Sequence, residues 1–172
     1  MQAVFDLLVK CDFPLLVIGG HGIEAHGVSR QTVDVDCLLA ADDRGALDAT
    51  LGRGGYRRIG DTDNFARYAH ESPLVPDVDV LFVDRETFAK LSIGTVELHR
   101  GNHHFQVPGL ANLIALKLHA IRNNPAREIR DLGDIAELLR SNPGQISSDA
   151  LKELCASFGP ADVAAKLESP AP

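Results

Sequence analysis

The period of the apolar residues changes once along this chain, at Pro108, and that change limits the fold more than any other feature. Upstream, apolar residues come in runs of strand length. Leu15-Leu16-Val17-Ile18 is continuous and stops at Gly19-Gly20, whereas Val33-Asp34-Val35-Asp36-Cys37-Leu38-Leu39 alternates and then turns fully apolar. Val78-Asp79-Val80-Leu81-Phe82-Val83 is a further strand pattern, and weaker ones lie near 55–59, 65–70, 94–98 and 103–107. Helical spacing is predicted between them over 2–11, 21–27 and 43–53, the last ended by Gly54-Gly55. Downstream of Pro108, Leu110, Leu113, Ile114 and Ile121 share one helix face, and Asn123-Asn124-Pro125 breaks that helix. Further helices are predicted over 127–140 and 147–158. The fold class is therefore α+β, a mixed β-sheet flanked by helices with a helical C-terminal third. The expected organisation is an α/β core over 1–107, helices over 108–160 packed on it as one unit, and a flexible tail over 161–172 that ends in Ser169-Pro170-Ala171-Pro172.

Composition narrows the function classes. With 24 acidic and 17 basic residues the net charge is −7, which opposes nonspecific adhesion to nucleic acid or an anionic membrane. Aromatic residues make up 5% and tryptophan is absent, so a base-stacking platform is not expected. Cys11, Cys37 and Cys155 are odd in number and far apart, which fits neither a disulfide framework nor a zinc knuckle. No apolar run is long enough for a membrane span, and the N-terminus lacks a signal-like pattern, so a cytoplasmic location is expected.

Carboxylates then stand where a strand would not ordinarily place them. Asp34 and Asp36 occupy positions i and i+2, which face the same way on a strand, and their charges repel. Either that face is open to water, or a divalent cation lies between the two oxygens, for which hard Mg²⁺ or Mn²⁺ is the natural choice. Asp77 and Asp79 repeat the pair at the start of another apolar strand, with Asp79 between Val78 and Val80. If the two strands are neighbours, three or four carboxylates converge, an arrangement that is destabilising without a cation. Gly19-Gly20 follows a buried strand and precedes a helix, a turn at which backbone can approach an anion; it matches neither the dinucleotide fingerprint nor the P-loop. In the C-terminal helices, Lys117 falls within the apolar face of Leu110, Leu113, Ile114 and Ile121, and Asp131 falls on the face of Ile135 and Leu138, with Asp134 one turn on. Inward charges need partners. One reading is a Lys117–Asp131 ion pair that locks two helices; the other sends Lys117 to a phosphate-bearing ligand and gives Asp131 or Asp134 a reacting group.

The string from Val17 to Leu39 resembles the nucleotidyltransferase superfamily that includes DNA polymerase β. Gly19-Gly20, Arg30, Thr32, Asp34 and Asp36 fit its glycine turn, short helix and Arg-x-Thr-x-Asp-x-Asp strand, and Asp79 fits its third carboxylate. Lys117 with Asp131-Leu-Gly-Asp134 resembles the C-terminal motif of bacterial abortive-infection toxin nucleotidyltransferases. Two departures stand out: Gly20 takes a position where many members carry serine, and the chain is short for the toxin enzymes. The resemblance implies that Asp34, Asp36 and Asp79 hold Mg²⁺ or Mn²⁺ and are catalytic. It implies that Gly19, Gly20, Arg30, Thr32, Lys117 and Asp134 bind the nucleotide, and that Lys117 and Asp131 join the catalytic set. The implied reaction moves a nucleoside monophosphate from an NTP to a hydroxyl acceptor, a tRNA or a protein in a toxin–antitoxin setting with a cognate partner, and releases pyrophosphate. Transfer to a small molecule such as an antibiotic, and a noncatalytic binding module or antitoxin, are the alternatives. The adjacent His103 and His104 point to opposite faces of a strand, which argues against a transition-metal site shared with His99.

Overall fold

A computed structural model of the chain describes residues 1–168. These residues divide into two compact units, Met1–Ala25 with Ser29–Pro108, and His26–Val28 with the chain from Gly109. The expected tail over 161–172 carries a short helix at its start, and 169–172 lie outside the described residues.

The first unit is built on a seven-stranded mixed sheet. Its elements in chain order are α1 (Gln2–Leu8), β1 (Leu16–Val17), α2 (Gly19–Ala25), β2 (Val35–Ala40), α3 (Arg44–Arg53), β3 (Tyr56–Thr62), β4 (Phe65–His70), β5 (Val78–Val83), α4 (Arg85–Leu91), β6 (Val96–Arg100) and β7 (His103–Val107). The strands run in the order β3-β4-β5-β2-β1-β7-β6. Here β2 lies parallel to β5 and β1 parallel to β7, while the other neighbours are antiparallel. Alternation sets the faces: along β5, Val78, Val80 and Phe82 are buried while Asp79, Leu81 and Val83 are less so. Val35, Cys37, Leu38 and Leu39 of β2 are fully buried, as a central strand requires. Burial also pushes the Cys37 thiol well up, which leaves it an inert core residue.

Element ends differ from the sequence reading for local reasons. The first apolar run pairs only over Leu16–Val17, and Gly19-Gly20 form the first turn of α2 instead of preceding it. Strand β2 starts at Val35, so Asp34 sits in the bend that enters it. Helix α4 is started by Asp84, whose carboxylate accepts from the Thr87 N–H at 2.8 Å and the Thr87 hydroxyl at 2.7 Å.

The second unit is helical: α5 (Leu110–Asn123), α6 (Glu128–Ser141), α7 (Ser148–Phe158) and α8 (Val163–Glu168). Helix α5 is entered at Gly109, just after Pro108, and the Gly109 carbonyl takes the first bond from Leu113 N–H at 2.9 Å. Its apolar face, Leu110, Leu113, Ile114, Leu118 and Ile121, is buried as the helical spacing predicts. Asn124 accepts from the Ala126 N–H at 3.2 Å across the proline break, and Ser147 caps α7 by accepting from the Ala150 N–H at 3.2 Å. Asn142 closes the end of α6 by donating to the carbonyls of Leu138 and His26, both at 2.9 Å. Among the described residues no helix is long and apolar enough to cross a membrane.

Candidate active site

In the first unit the register of β2 and β5 pairs Asp36 with Asp79, and the register of β4 and β5 pairs Arg67 with Asp79. Asp36, Asp79 and Arg67 therefore stand side by side across three adjacent strands. Arg67 grips Asp79 with two parallel bonds, Nε to Oδ1 at 2.7 Å and Nη2 to Oδ2 at 2.5 Å. The Asp79 carboxylate beside it holds the guanidinium well above its usual range. The Asp79 side chain is 14% exposed and Arg67 42%. Arg67 thus supplies part of the positive charge that neighbouring carboxylates need. Sequence reasoning missed it, because the strand over 65–70 was weakly patterned. The usable signal was parity: Ala66 and Tyr68 are buried, which puts Arg67 on the opposite face.

Gly19 packs directly on the Asp36 carboxylate. Its φ is +60°, and a Cβ built there would lie 1.9 Å from Asp36 Oδ2. Only a residue without a side chain lets α2 start at that distance. The neighbouring Ile18 N–H donates to the Asp36 carbonyl at 2.9 Å and fixes the turn to β2. At Gly20 a Cβ would lie 2.6 Å from Thr32 Cβ and 2.9 Å from Thr32 Oγ1. The space a serine would use is filled by Thr32, whose hydroxyl donates to the Asp34 carbonyl at 3.2 Å. This accounts physically for glycine at the position where the resemblance leads one to look for serine. Arg30, on the same segment, is half-buried.

A cavity of about 460 Å³ adjoins these residues, lined among others by Thr32, Val33, Asp34, Leu74, Val75 and Asp77. Val33 and Leu74 are largely exposed, so its apolar wall is open to an incoming molecule. His21, on α2, is 5% exposed, and its Nδ1 lies 2.8 Å from Arg100 Nη2. Arginine only donates, so Nδ1 accepts and the ring proton sits on Nε2, which is buried with no hydrogen-bond partner among the described residues. Burial and the Arg100 charge both keep this imidazole below its usual pKa, and so neutral.

The second unit holds the other predicted residues. Lys117 on α5 is buried, and its Nζ donates to Asp131 Oδ1 at 3.0 Å and to Asp134 Oδ2 at 2.6 Å, both on α6. Arg127 Nε adds a bond to Asp131 Oδ2 at 2.8 Å. Burial alone would raise the fully buried Asp131 carboxyl, but Lys117 and Arg127 outweigh it and hold it below the usual carboxylate range. The observed contacts are those of the helix-locking reading, widened to four residues.

The donor chemistry of Asp34, Asp36 and Asp79 suits a hard divalent cation. Asp79 spends one lone pair of each oxygen on Arg67 and retains the other, so the clasp does not remove it as a donor.

No family model and no curated protein matches the sequence. The structure is similar to that of the antibiotic-resistance factor ANT(2'')-Ia, with a TM-score of 0.70 and 17% identity over 91% of this chain and 89% of that one. It is also similar to an antigenic nucleotidyltransferase-like protein from Paracoccidioides brasiliensis, with a TM-score of 0.57 and 14% identity over 99% and 92% of the two chains. The fold is a nucleotidyltransferase fold. A third similar structure is the lincosamide antibiotic adenylyltransferase LnuA with lincomycin bound, with a TM-score of 0.56 and 13% identity over 78% of this chain and 91% of that one. The likeness is one of fold, and the activity is argued from the site.

Proposed function

We propose that this protein is a metal-dependent nucleotidyltransferase that moves a nucleoside monophosphate from an NTP to a hydroxyl of a small, amine-bearing acceptor, with release of pyrophosphate. The observation that carries this reading is the in-register Asp36–Asp79 pair with Gly19 pressed onto the Asp36 carboxylate. Asp34, Asp36 and Asp79 would hold Mg²⁺ or Mn²⁺, which when bound neutralises triphosphate charge and lowers the pKa of an attacking hydroxyl. The chain's own residues do the rest. Gly19 and Gly20 let the backbone at the start of α2 lie against Asp36 and Thr32, so that its N–H groups stand beside the cation and triphosphate that Asp36 would hold. Thr32 fixes the bend that presents Asp34, Arg67 keeps Asp79 in one orientation, and Arg30 offsets triphosphate charge. Lys117, Asp131 and Asp134 hold α5 against α6 through the two observed Lys117 bonds, which favours the locking role.

The cavity beside Asp34 supports a small acceptor. Its 460 Å³ lies in the range of small-molecule sites, and apolar walls with Asp77 suit a compound that carries an amine. Similar folds are seen with such compounds, ANT(2'')-Ia with adenylyl-2''-tobramycin and LnuA with lincomycin. The net charge of −7 speaks against bulk tRNA as the acceptor. The test is to supply each NTP with Mg²⁺ and, in separate reactions, aminoglycosides, lincosamides, tRNA and a cell-protein extract, and to follow pyrophosphate release and acceptor mass. The reading expects a nucleotide-monophosphate mass increase on an amine-bearing small molecule. A label found on tRNA or protein would return the acceptor to the macromolecular, toxin-type class.

A further inference from the structure

The β6–β7 hairpin carries a second group of ligand-type side chains. Strand β6 is an edge of the sheet, three strands from β2 and so on the order of 14 Å from the carboxylates at ordinary strand spacing. His99 on β6 and His104 on β7 are direct cross-strand partners, with ring centroids 4.4 Å apart. Glu97, two residues before His99, shares its face. Its Oε2 lies 3.7 Å from His99 Nε2 and 3.6 Å from His104 Nδ1. One ligand atom from each of the three residues falls within 4.8 Å of the others. His103 belongs to the other face, where its Nε2 bonds Asp6 at 2.9 Å, so the sequence argument against a three-histidine site stands while Glu97 supplies the missing ligand.

We propose that Glu97, His99 and His104 form a surface site for a divalent transition cation of the Zn²⁺ class. A tetrahedral zinc with bonds of about 2.0–2.1 Å keeps neighbouring ligand atoms about 3.3 Å apart. The two glutamate separations are already near that value, and the imidazoles are exposed and touch each other edge to face, so a small rotation closes the set. Two imidazoles and one carboxylate select this class over Mg²⁺, which prefers oxygen alone. Three protein ligands leave a fourth position for water. The bound ion ties the edge strand to its neighbour across the open end of the sheet. The site is independent of the nucleotide chemistry proposed above.

The test titrates Zn²⁺ calorimetrically into the full chain in excess Mg²⁺, for the wild type, for His99→Ala/His104→Ala, for Glu97→Gln and for Asp34→Ala/Asp36→Ala. The expected result is one zinc equivalent bound by the wild type and by the aspartate variant. Affinity should fall by at least about tenfold in Glu97→Gln and further in the double histidine variant. Co²⁺ in place of Zn²⁺ should give the intense visible absorption of a tetrahedral nitrogen–oxygen site, lost with the histidines. Because Glu97, His99 and His104 lie on the surface, the melting temperatures of their variants in metal-free buffer should stay at the wild-type value, which separates ligand loss from misfolding. Zinc binding that survives in His99→Ala/His104→Ala, that vanishes only in Asp34→Ala/Asp36→Ala, or that never occurs would overturn the site.

Discussion

At Gly19 one hydrogen atom in place of a methyl group decides whether α2 can begin against the Asp36 carboxylate. Gly19→Ala sets a Cβ where Asp36 Oδ2 now lies, at a φ that side chains avoid. The expected outcome is a stability loss of about 1–2 kcal/mol in chemical denaturation, together with loss of Mg²⁺-dependent nucleotide binding in calorimetry. Gly20→Ser meets Thr32 in the same way, so it should lower the melting temperature without raising nucleotide affinity. Asp36→Asn removes a charge from a crowded row. It should leave the melting temperature at or above the wild-type value while abolishing nucleotide binding, a combination that a merely structural aspartate would not give. The carboxylates and glycines were legible in the sequence because they break the apolar pattern of their strands. That Gly20 is paired in space with Thr32 was not, since the segment between them is a loop whose course no periodicity records.

Between strands and between helices, charges are settled by partners that only the pairing reveals. Arg67 offsets Asp79 across β4 and β5, so Arg67→Met leaves Asp79 facing Asp36 with less compensation. Because Arg67 is 42% exposed, the cost should be only about 1 kcal/mol in metal-free buffer. Millimolar Mg²⁺ should recover it more in the variant than in the wild type, as read by thermal shift. Strand order carries this information, and a strand sequence alone does not give its neighbours. The Lys117 cluster was more legible, since a lysine and an aspartate on apolar helix faces must find partners. Replacing Lys117 with methionine leaves the fully buried Asp131 with Arg127 as its hydrogen-bonded cation, and should cost about 3 kcal/mol, the low end for a broken buried pair. The folded Asp131 binds its proton more weakly than the unfolded chain does, so its contribution is present above about pH 4 and is lost as pH falls through its lowered folded pKa. Acid unfolding of the wild type should therefore be steeper below pH 4 than that of Asp131→Asn, measured by circular dichroism along a pH series.

For the molecule as a whole, the change of period at Pro108 coincides with the division of the chain into a sheet-bearing unit and a helical one, apart from His26–Val28, which group with the helices. Asn142 bonds the His26 carbonyl within that unit, a contact far apart in sequence. The seven-strand order was not legible either, because the apolar run over 15–18 marks β1 as a strand but does not record that it joins β2 to β7. The central claim is that Asp34, Asp36 and Asp79 form a metal-dependent nucleotide site. The most direct measurement is calorimetric titration of ATP, CTP, GTP and UTP in Mg²⁺ into the wild type and into Asp34→Ala/Asp36→Ala. The account predicts that at least one nucleotide binds, that chelation of Mg²⁺ abolishes the binding, and that the double variant shows none. Failure of all four nucleotides to bind the wild type, or equal binding by the double variant, would contradict it.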